Sequence, residues 1–277
     1  MPIPSWSHSR LATYEQCAYR AYLLYDQKVQ EPERPLPAGK TEHANDRGTR
    51  VHNECELYVR GDSDVMPPEA RKHFGPEMER LRGLYKHGIV SLEGEWGMNH
   101  DWEPWDWRGQ WVEIPALPAG EPFEKLKALP TRAQAGVVYW VGKKYFIWVP
   151  AWLRLKLDAL VFESKYSAIA IDYKTGRKFG NELKHGEQLQ LYQLCTFLRY
   201  PDLEEVTTEL WYFDVDELTP KTFTRDQGLR FQRNWDKRAN KMTTATHFPP
   251  NGNIHTCKWC YLGERENGAG ICKSGKW

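Results

Sequence analysis

Two acids and a lysine lie on two consecutive apolar segments of this sequence. Asp172 and Lys174 lie near the end of the run 168–176, and Asp158 lies in the preceding segment, 153–162. Alternate side chains of a strand share a face, so Asp172 and Lys174 are expected side by side. Two carboxylates on adjacent strands can bind Mg²⁺, which completes its shell with water and phosphate oxygens. A lysine beside them could orient a water or stabilise a phosphate, although a surface salt bridge also explains an isolated Asp-x-Lys.

Other candidate side chains lie on predicted helices. His52 belongs to a helix beginning at Arg47 and could add an imidazole ligand, which suits Mn²⁺ as well as Mg²⁺. Gln188 and Tyr192 lie one turn apart on a later predicted helix and therefore face the same way. Taken singly, each of these residues also has an ordinary explanation as part of a helix surface.

The cysteines suggest a second metal centre. Cys257 and Cys260 are two residues apart, a spacing that lets both thiolates bind one centre. Glycines in the following loop would let Cys272 reach the same centre, with Cys17 as the fourth ligand. Four thiolates suit a [4Fe–4S] cluster or a zinc ion, and His255 is an alternative zinc ligand. The two remaining cysteines are predicted core residues: Cys55 and Cys195.

Apolar periodicity predicts the elements that must position these residues. Helices are expected over 7–25, from residue 47, and over 69–86, 183–200 and 225–243. Strands are expected over 89–97, in a hairpin 137–149 that turns at Gly142-Lys143, and over 153–162, 168–176 and 207–215. The acidic, Trp-rich stretch 93–124 has no clean period and is predicted to be irregular. This order indicates an α/β fold with a mixed sheet.

Composition describes a polar globular chain. Its 277 residues suffice for a sizeable core, and no run approaches the roughly 20 apolar residues of a membrane span. The first residues lack the apolar centre of a signal peptide, so we expect a cytoplasmic protein. Residues 93–124 carry eight acids and one base, net −7, whereas residues 221–277 carry eleven bases and four acids, net +7. The basic part is compatible with a phosphate backbone as partner.

The ordered set of motifs resembles the RecB-like branch of the PD-(D/E)-x-K nuclease superfamily, which includes CRISPR-associated RecB-type exonucleases and the AddB nuclease domain. The matching motifs are Ser9-Arg-Leu11-x-x-Tyr14-x-x-Cys17, Gly48-x-x-x-His52-x-x-x-Glu56, Leu157-Asp158, Ile171-Asp172-Tyr173-Lys174-Thr175-Gly176, Gln188-x-x-x-Tyr192 and Cys257-x-x-Cys260. The chain departs from the family at Ala18, where proline is common, and at Cys272, which lies further beyond Cys260 than in relatives.

The resemblance implies an α/β, restriction-endonuclease-like core in which helices flank a mixed sheet. It implies an N-terminal helical part and a C-terminal four-cysteine metal-cluster region. We therefore expect a single nuclease domain over residues 1–277. Its parts would be helices in 1–90, a core in 91–220 with the acidic insertion 93–124, and a basic helix with the cysteine tail in 221–277.

The resemblance also implies roles for individual residues. The implied ligands of Mg²⁺ or Mn²⁺ are His52, Asp158, Asp172 and the carbonyl of Tyr173, with Lys174 catalytic beside the two aspartates. The implied DNA path is lined by Gln188 and by Tyr192, whose ring could stack on bases. Glu93 or Glu95 would correspond to a family acid upstream of the sheet. From the residues themselves, a basic helix face that could hold phosphates is formed by Arg233, Lys237 and Lys241.

The expected activity is metal-dependent DNA exonuclease activity on single-stranded or end-frayed DNA, in recombination, repair or phage genome processing. A CRISPR-associated nuclease that trims spacer precursors beside an integrase would use the same chemistry and stays an alternative. An alternative from another class is a catalytically silent DNA-binding scaffold with a structural metal cluster; the presence of Asp158, Asp172 and Lys174 together argues against it, because a scaffold has no need of all three. An iron–sulfur electron carrier is disfavoured, because it would draw its cluster ligands from one compact run of sequence, whereas Cys17 lies 240 residues before Cys257. Expected partners are single strands or duplex ends and a protein of a recombination or CRISPR complex, with no membrane.

Overall fold

The computed structural model of the protein describes residues 3–130, 136–176, 178–264 and 267–274, and the side chain of Glu93 lies outside this description. Contacts between residues divide the chain into two compact units. The first comprises residues 1–94 and 156–277, and the second comprises residues 95–155. None of the described helices has the length and apolar character needed to cross a membrane.

The helices follow the predicted order with shifted boundaries. They are α1 His8–Gln16, α2 Ala18–Ala21, α3 Ala44–Arg60, α4 Pro68–Lys86, α5 Glu182–Arg199, α6 Arg225–Leu229, α7 Gln232–Thr243 and α8 Ile254–Cys257. The single helix predicted over 7–25 is broken at Cys17, whose backbone is extended at φ −159° and ψ 106°. A short π-helical turn, Tyr22–Asp26, follows α2. Because of this break, Cys17 lies between two helices and not within one, and its thiol lines a cavity with the C-terminal cysteines.

The strands of the first unit form a mixed sheet, as the sequence predicted. The strands of the chain are β1 Val90–Met98, β2 Pro104–Trp105, β3 Gln110–Ile114, β4 Phe123–Lys125, β5 Val138–Val141, β6 Lys144–Val149, β7 Leu153–Phe162, β8 Ser167–Lys174, β9 Glu205–Tyr212 and β10 Glu217–Thr224. In the first unit the order is β10-β9-β8-β7-β1. Strands β8 and β9 are parallel and their neighbouring pairs β7–β8 and β9–β10 are antiparallel.

Helix α5 makes the crossover that a parallel pair requires. It joins β8 to β9, and its buried side chains include Leu191, Leu194 and Phe197. On β8 the run Ala168–Tyr173 is buried throughout, which explains why this segment reads as continuously apolar apart from its acid. The crossover therefore brings α5 directly after the strand that carries Asp172 and Lys174.

Helices α3 and α4 pack their apolar stripes on the sheet to form the main core. Val51 and Cys55 of α3 and Met78 of α4 are fully buried there, together with Ile171 of β8 and Trp211 of β9. Cys195 of α5 is also fully buried, so both cysteines predicted to be core residues are in the interior. Burial of this apolar stripe holds α3 against the sheet and fixes the position of His52.

The second unit contains a four-stranded sheet of order β3-β6-β5-β4. The predicted hairpin is β5–β6, and its turn residues Gly142 and Lys143 both have positive φ, at 56° and 75°. The acidic stretch was predicted to be irregular, yet it contains β2, β3 and β4. Its tryptophans belong partly to these short strands: Trp111 pairs directly with Trp148 across β3 and β6. Aromatic cross-strand pairing supplies regular structure that hydrophobic periodicity did not reveal.

Candidate active site

The antiparallel register of β7 and β8 brings the two aspartates together. Its innermost pair is Ala159 with Ile171, and Asp158 and Asp172 follow immediately beyond that pair on their strands. Both carboxylates are buried, with 6% and 3% of their surface exposed. Burial of two acids is costly unless they are paired, so their partners decide what the site can do.

Asp158 is held by a helix and by its neighbouring strand. Its Oδ1 is 2.8 Å from Nδ1 of His52, and its Oδ2 accepts a 2.6 Å hydrogen bond from the backbone N–H of Tyr173. The Tyr173 ring is buried against the core, with His52 edge-on at 5.7 Å, so only the Tyr173 backbone carbonyl could serve as a ligand. If Nδ1 of His52 donates to Asp158, its Nε2 is the nitrogen left to bind a metal.

Asp172 is surrounded by a second set of polar groups. The ammonium of Lys174 contacts its Oδ2 and donates a 3.0 Å hydrogen bond to Oε1 of Gln188. The amide nitrogen of Gln188 donates to Oδ1 of Asp172 at 3.2 Å and to the hydroxyl of Tyr192 at 2.6 Å. Gln188 therefore connects the lysine, the acid and Tyr192. Tyr192 is only 5% exposed, so it supports Gln188 and its ring is not open to stacking on a base.

These side chains line one groove, which we call the active-site groove. Its main cavity encloses about 1100 Å³, open to solvent, and is lined by His52, Asp158, Asp172, Lys174, Gln188 and Tyr192 among others. The residues predicted from distant parts of the sequence thus converge. Four polar lining residues lie outside the predicted motifs: Asn45, Lys156, Asn181 and His185. Two-residue spacing from Asp158 could have indicated Lys156, and three-residue spacing from Gln188 could have indicated His185.

Burial and charge oppose each other in this groove. Burial raises the pKa of Asp172; the Lys174 ammonium lowers it and Asp158 raises it, and the net shift is upward. For His52, burial lowers the pKa, but Asp158 and Asp172 outweigh burial and raise it above its ordinary value. Burial and the nearby Lys174 lower the pKa of His185 to about 4, so its imidazole is neutral at pH 7.

The donor set suits a hard divalent cation. Two carboxylates and an imidazole are ligands that Mg²⁺ and Mn²⁺ accept. Oδ2 of Asp172 is buried and is paired with the Lys174 ammonium, and a carboxylate oxygen has lone pairs enough to meet a cation as well. In the described part of the chain, no three His, Cys, Asp or Glu side chains already stand in a metal-binding arrangement. His52 and Asp158, and likewise Asp172 and Lys174, are instead bonded to each other.

Arg47 secures the turn that follows the lysine. Its guanidinium pairs with Asp214 through contacts of 2.7 and 2.8 Å and donates a 3.2 Å hydrogen bond to the carbonyl of Thr175. A Cβ on the neighbouring Gly48 would lie 3.4 Å from the Thr175 hydroxyl. The start of α3 therefore packs closely on the end of β8, which also receives a backbone hydrogen bond from Phe213 to the Lys174 carbonyl.

The four cysteines of the suggested second centre line one other cavity. Cys17, Cys257, Cys260 and Cys272 line one small cavity, and all four thiols are free. Sγ of Cys17 accepts a 3.4 Å hydrogen bond from the Asn251 backbone, and Cys272 is held by a 2.8 Å backbone bond to Leu262. His255 is exposed on α8 and does not belong to the described lining of this cavity. The thiols converge without forming a closed metal site.

The remaining predicted residues lie elsewhere. Arg233, Lys237 and Lys241 are exposed on α7, on the side opposite its buried Trp235 and Ala239, and they are outside the described lining of the active-site groove. Glu95 lies on β1 at the start of the second unit. The prediction for Glu93 concerns a side chain outside the described residues.

Three comparisons with known proteins place the chain among known families and structures. A search of curated proteins found no significant match. Among solved structures, the crystal structure of SSO0001 is similar, with a TM-score of 0.35 and 14% identity over 99% of this chain and 88% of that chain. The family profile described as the PD-(D/E)XK nuclease superfamily matches residues 5–264. Because that match covers nearly the whole sequence, this chain belongs to the PD-(D/E)XK nuclease superfamily.

Proposed function

We propose that this chain is a divalent-metal-dependent deoxyribonuclease that degrades single-stranded or end-frayed DNA from an end. The family implies a metal-dependent nuclease, and nucleases of this superfamily usually use Mg²⁺ or Mn²⁺. The observation that carries the proposal is the convergence of His52, Asp158, Asp172 and Lys174 on one groove. A purely structural ion pair would not require an imidazole and a second buried carboxylate at the same place.

Mg²⁺ or Mn²⁺ would be held by His52, Asp158, Asp172 and the Tyr173 carbonyl, and when bound it supplies a Lewis acid for the phosphate. Lys174 would orient the attacking water or stabilise the charge that develops on the phosphate. Its ammonium is already directed by Asp172 and Gln188, so little reorganisation is needed. Asp158 orients the His52 ring through Nδ1.

The RecB-like assignment is the finer part of the proposal. It rests on the cavity that Cys17, Cys257, Cys260 and Cys272 share, because the resemblance implies a four-cysteine centre at these residues. We propose a [4Fe–4S] cluster there, with zinc as the alternative. Such a centre would join the end of α1 to the C-terminal tail. Recombination, repair or phage genome processing is the role proposed for a nuclease of this branch.

Digestion of end-labelled DNA tests the proposal. Purified protein is given linear single-stranded, linear duplex or circular single-stranded DNA, with Mg²⁺, Mn²⁺ or a chelator. We expect linear single strands to be degraded only with metal, and circles to resist because they offer no end. Lys174→Ala should lower the rate by at least ~100-fold. Lys165→Ala is the matched control, since Lys165 is exposed at the β7–β8 turn and pairs with Asp202.

Each outcome separates the alternatives. Equal digestion by wild type and Lys174→Ala would refute the catalytic assignment. Metal-dependent cutting of circles would establish an endonuclease and contradict the exonuclease mode. DNA binding without digestion by either protein would favour the scaffold function.

A further inference from the structure

The active-site groove has a second lobe that the predicted roles leave unused. This lobe encloses about 570 Å³ and shares Gly48, His52, Lys156 and Asp158 with the main cavity. Its remaining lining comes from the first turns of α3, through Thr49 and Asn53. The groove therefore continues past the His52–Asp158 pair.

Lysines flank the two aspartates in the same way on both strands. Lys156 lies two residues before Asp158 on β7, and Lys174 lies two residues after Asp172 on β8. Each lysine therefore shares a strand face with its aspartate. The two strands are antiparallel and Ala159 pairs with Ile171, so continuing this register puts Asp158 opposite Asp172 and Lys156 opposite Lys174. Both lysines therefore lie beyond the two aspartates in the same direction along the sheet.

The two lysines differ in environment. Lys174 is 17% exposed and contacts Asp172 and Gln188. Lys156 is exposed. Among the described residues that line the second lobe, it is the one lysine. Lys174 is the less exposed lysine and is held by its neighbours, whereas Lys156 is exposed at the rim of the groove, where substrate would pass.

One other group of the lobe, the Asn53 amide, suits a phosphate, and the remaining polar groups are already engaged with protein partners. Asn53 is exposed and can donate hydrogen bonds from its amide, one helical turn from Thr49. The hydroxyl of Thr49 donates to the Asn45 carbonyl at 3.1 Å and keeps acceptor capacity only. Asp158 is engaged with His52 and the Tyr173 N–H, which moderates its repulsion of a nearby anion.

We propose that this second lobe binds the phosphodiester adjacent to the one being cleaved, with Lys156 as the cation and Asn53 as a hydrogen-bond donor. The proposal rests on the proposed nuclease function and names a substrate contact that function leaves open. A charge-assisted contact to a phosphate contributes to ground-state and transition-state binding alike, so it acts on affinity more than on turnover.

Binding of a labelled single-stranded oligonucleotide, measured with chelator present so that no cutting occurs, tests the contact. We expect Lys156→Ala to weaken binding about fivefold to tenfold at low salt. The slope of log affinity against log salt should become shallower by about 0.7, the value for one phosphate contact on a single strand. Lys156→Arg should restore both quantities, and Lys165→Ala should match wild type. In digestion with metal, Lys156→Ala should raise KM and retain most of kcat.

An oligonucleotide with one neutral methylphosphonate linkage identifies which phosphate is contacted. Placed next to the cleaved linkage, it should weaken wild-type binding but add little to the effect of Lys156→Ala, because both changes remove the same interaction. An unchanged salt slope for Lys156→Ala, or fully additive effects, would overturn the proposal while leaving the nuclease assignment intact. Absence of digestion by wild type would instead overturn the nuclease function, and the binding measurements would still decide the Lys156 contact.

Discussion

At the scale of single residues, Gln188 has the most connected position in the active-site groove. It accepts a hydrogen bond from Lys174 and donates to both Asp172 and Tyr192. Hydrogen bonds to charged groups contribute about 1.5–3 kcal/mol each, whereas neutral ones contribute about 1 kcal/mol. The amide should therefore matter more for orienting Lys174 than the phenol that accepts from it.

Gln188→Ala should lower kcat by about 10- to 100-fold, because it frees the Lys174 ammonium and leaves Asp172 with one partner fewer. Tyr192→Phe should lower kcat by only about threefold, since it removes the hydroxyl while the Gln188 amide keeps its bonds to Lys174 and Asp172. Single-turnover digestion of the labelled strand measures both variants. A larger loss for Tyr192→Phe than for Gln188→Ala would contradict this ranking.

The buried His8, which lies outside the groove, should make the folded protein less stable in acid. It is buried on α1 against the edge of Trp235, and burial, with Lys184 and Lys174, lowers its pKa to about 4. The unfolded state binds this proton at higher pH, so stability is lost as pH falls from about 6.5 to about 4. His8 should contribute at most about 3 kcal/mol to that loss.

In urea unfolding, His8→Leu should therefore show a shallower decline in the free energy of unfolding between pH 6.5 and pH 4 than wild type. At pH 8 the histidine is neutral in both states, so the comparison there isolates any change in packing. Identical pH slopes for the two proteins would exclude His8 as a source of acid instability.

At the scale of elements, the site depends on how α3 meets the ends of β8 and β9. Arg47 of α3 links this helix to both strand ends. It donates to the Thr175 carbonyl after β8 and pairs with Asp214 after β9. The carbonyl of Thr175, next to the proposed catalytic Lys174, is thereby tied to a partly buried guanidinium. We infer that Arg47 positions Lys174 through the backbone of the neighbouring Thr175.

Arg47→Ala should lower kcat by about tenfold and leave KM for DNA nearly unchanged, because a displaced Lys174 loses orientation without losing substrate contacts. Arg47→Lys should recover only part of kcat, since an ammonium lacks the two-pronged geometry. Steady-state kinetics on the single strand measures both, and thermal unfolding checks that the fold persists. An increase of KM with constant kcat would show that Arg47 binds DNA instead.

At the scale of the whole molecule, distant ends of the sequence meet in the first unit. Arg238 of α7 pairs with Glu15 of α1 through two 2.7 Å contacts and with Glu187 of α5. The Tyr14 hydroxyl bonds to the Lys241 carbonyl at 3.2 Å. These contacts hold α1 against α7, and Cys17 shares a cavity with the C-terminal cysteines, so a centre bound there would add to contacts that already join α1 to the end of the sequence.

Purified protein is expected to contain iron or zinc, measured by elemental analysis, with absorbance near 400 nm if the metal is a cluster. Cys257→Ser should remove the metal and lower Tm by about 10 °C, because the constraint between α1 and the tail is lost. Cys55→Ala is the matched control: it changes a core thiol and should keep the metal. Full stability of a metal-free wild type would contradict the role of the centre.

The sequence by itself determined the features that depend on short separations along the chain. The two-residue spacing of Asp172 and Lys174 and the one-turn spacing of Gln188 and Tyr192 follow from strand and helix geometry, and the succession of helices and strands follows from apolar periodicity. The tryptophan-rich strands escaped prediction because their regularity comes from cross-strand pairs.

Tertiary structure alone decided which of these local features meet. The 2.8 Å contact between His52 and Asp158 joins residues 106 positions apart, and the Arg47–Asp214 pair joins residues 167 positions apart. Such contacts arise when α3 buries its apolar stripe on the sheet, so no periodicity in the sequence encodes them directly. The two-residue spacing of Lys156 and Asp158 places both on one face of β7. Only the packing of α3 against that strand creates the lobe that Lys156 lines.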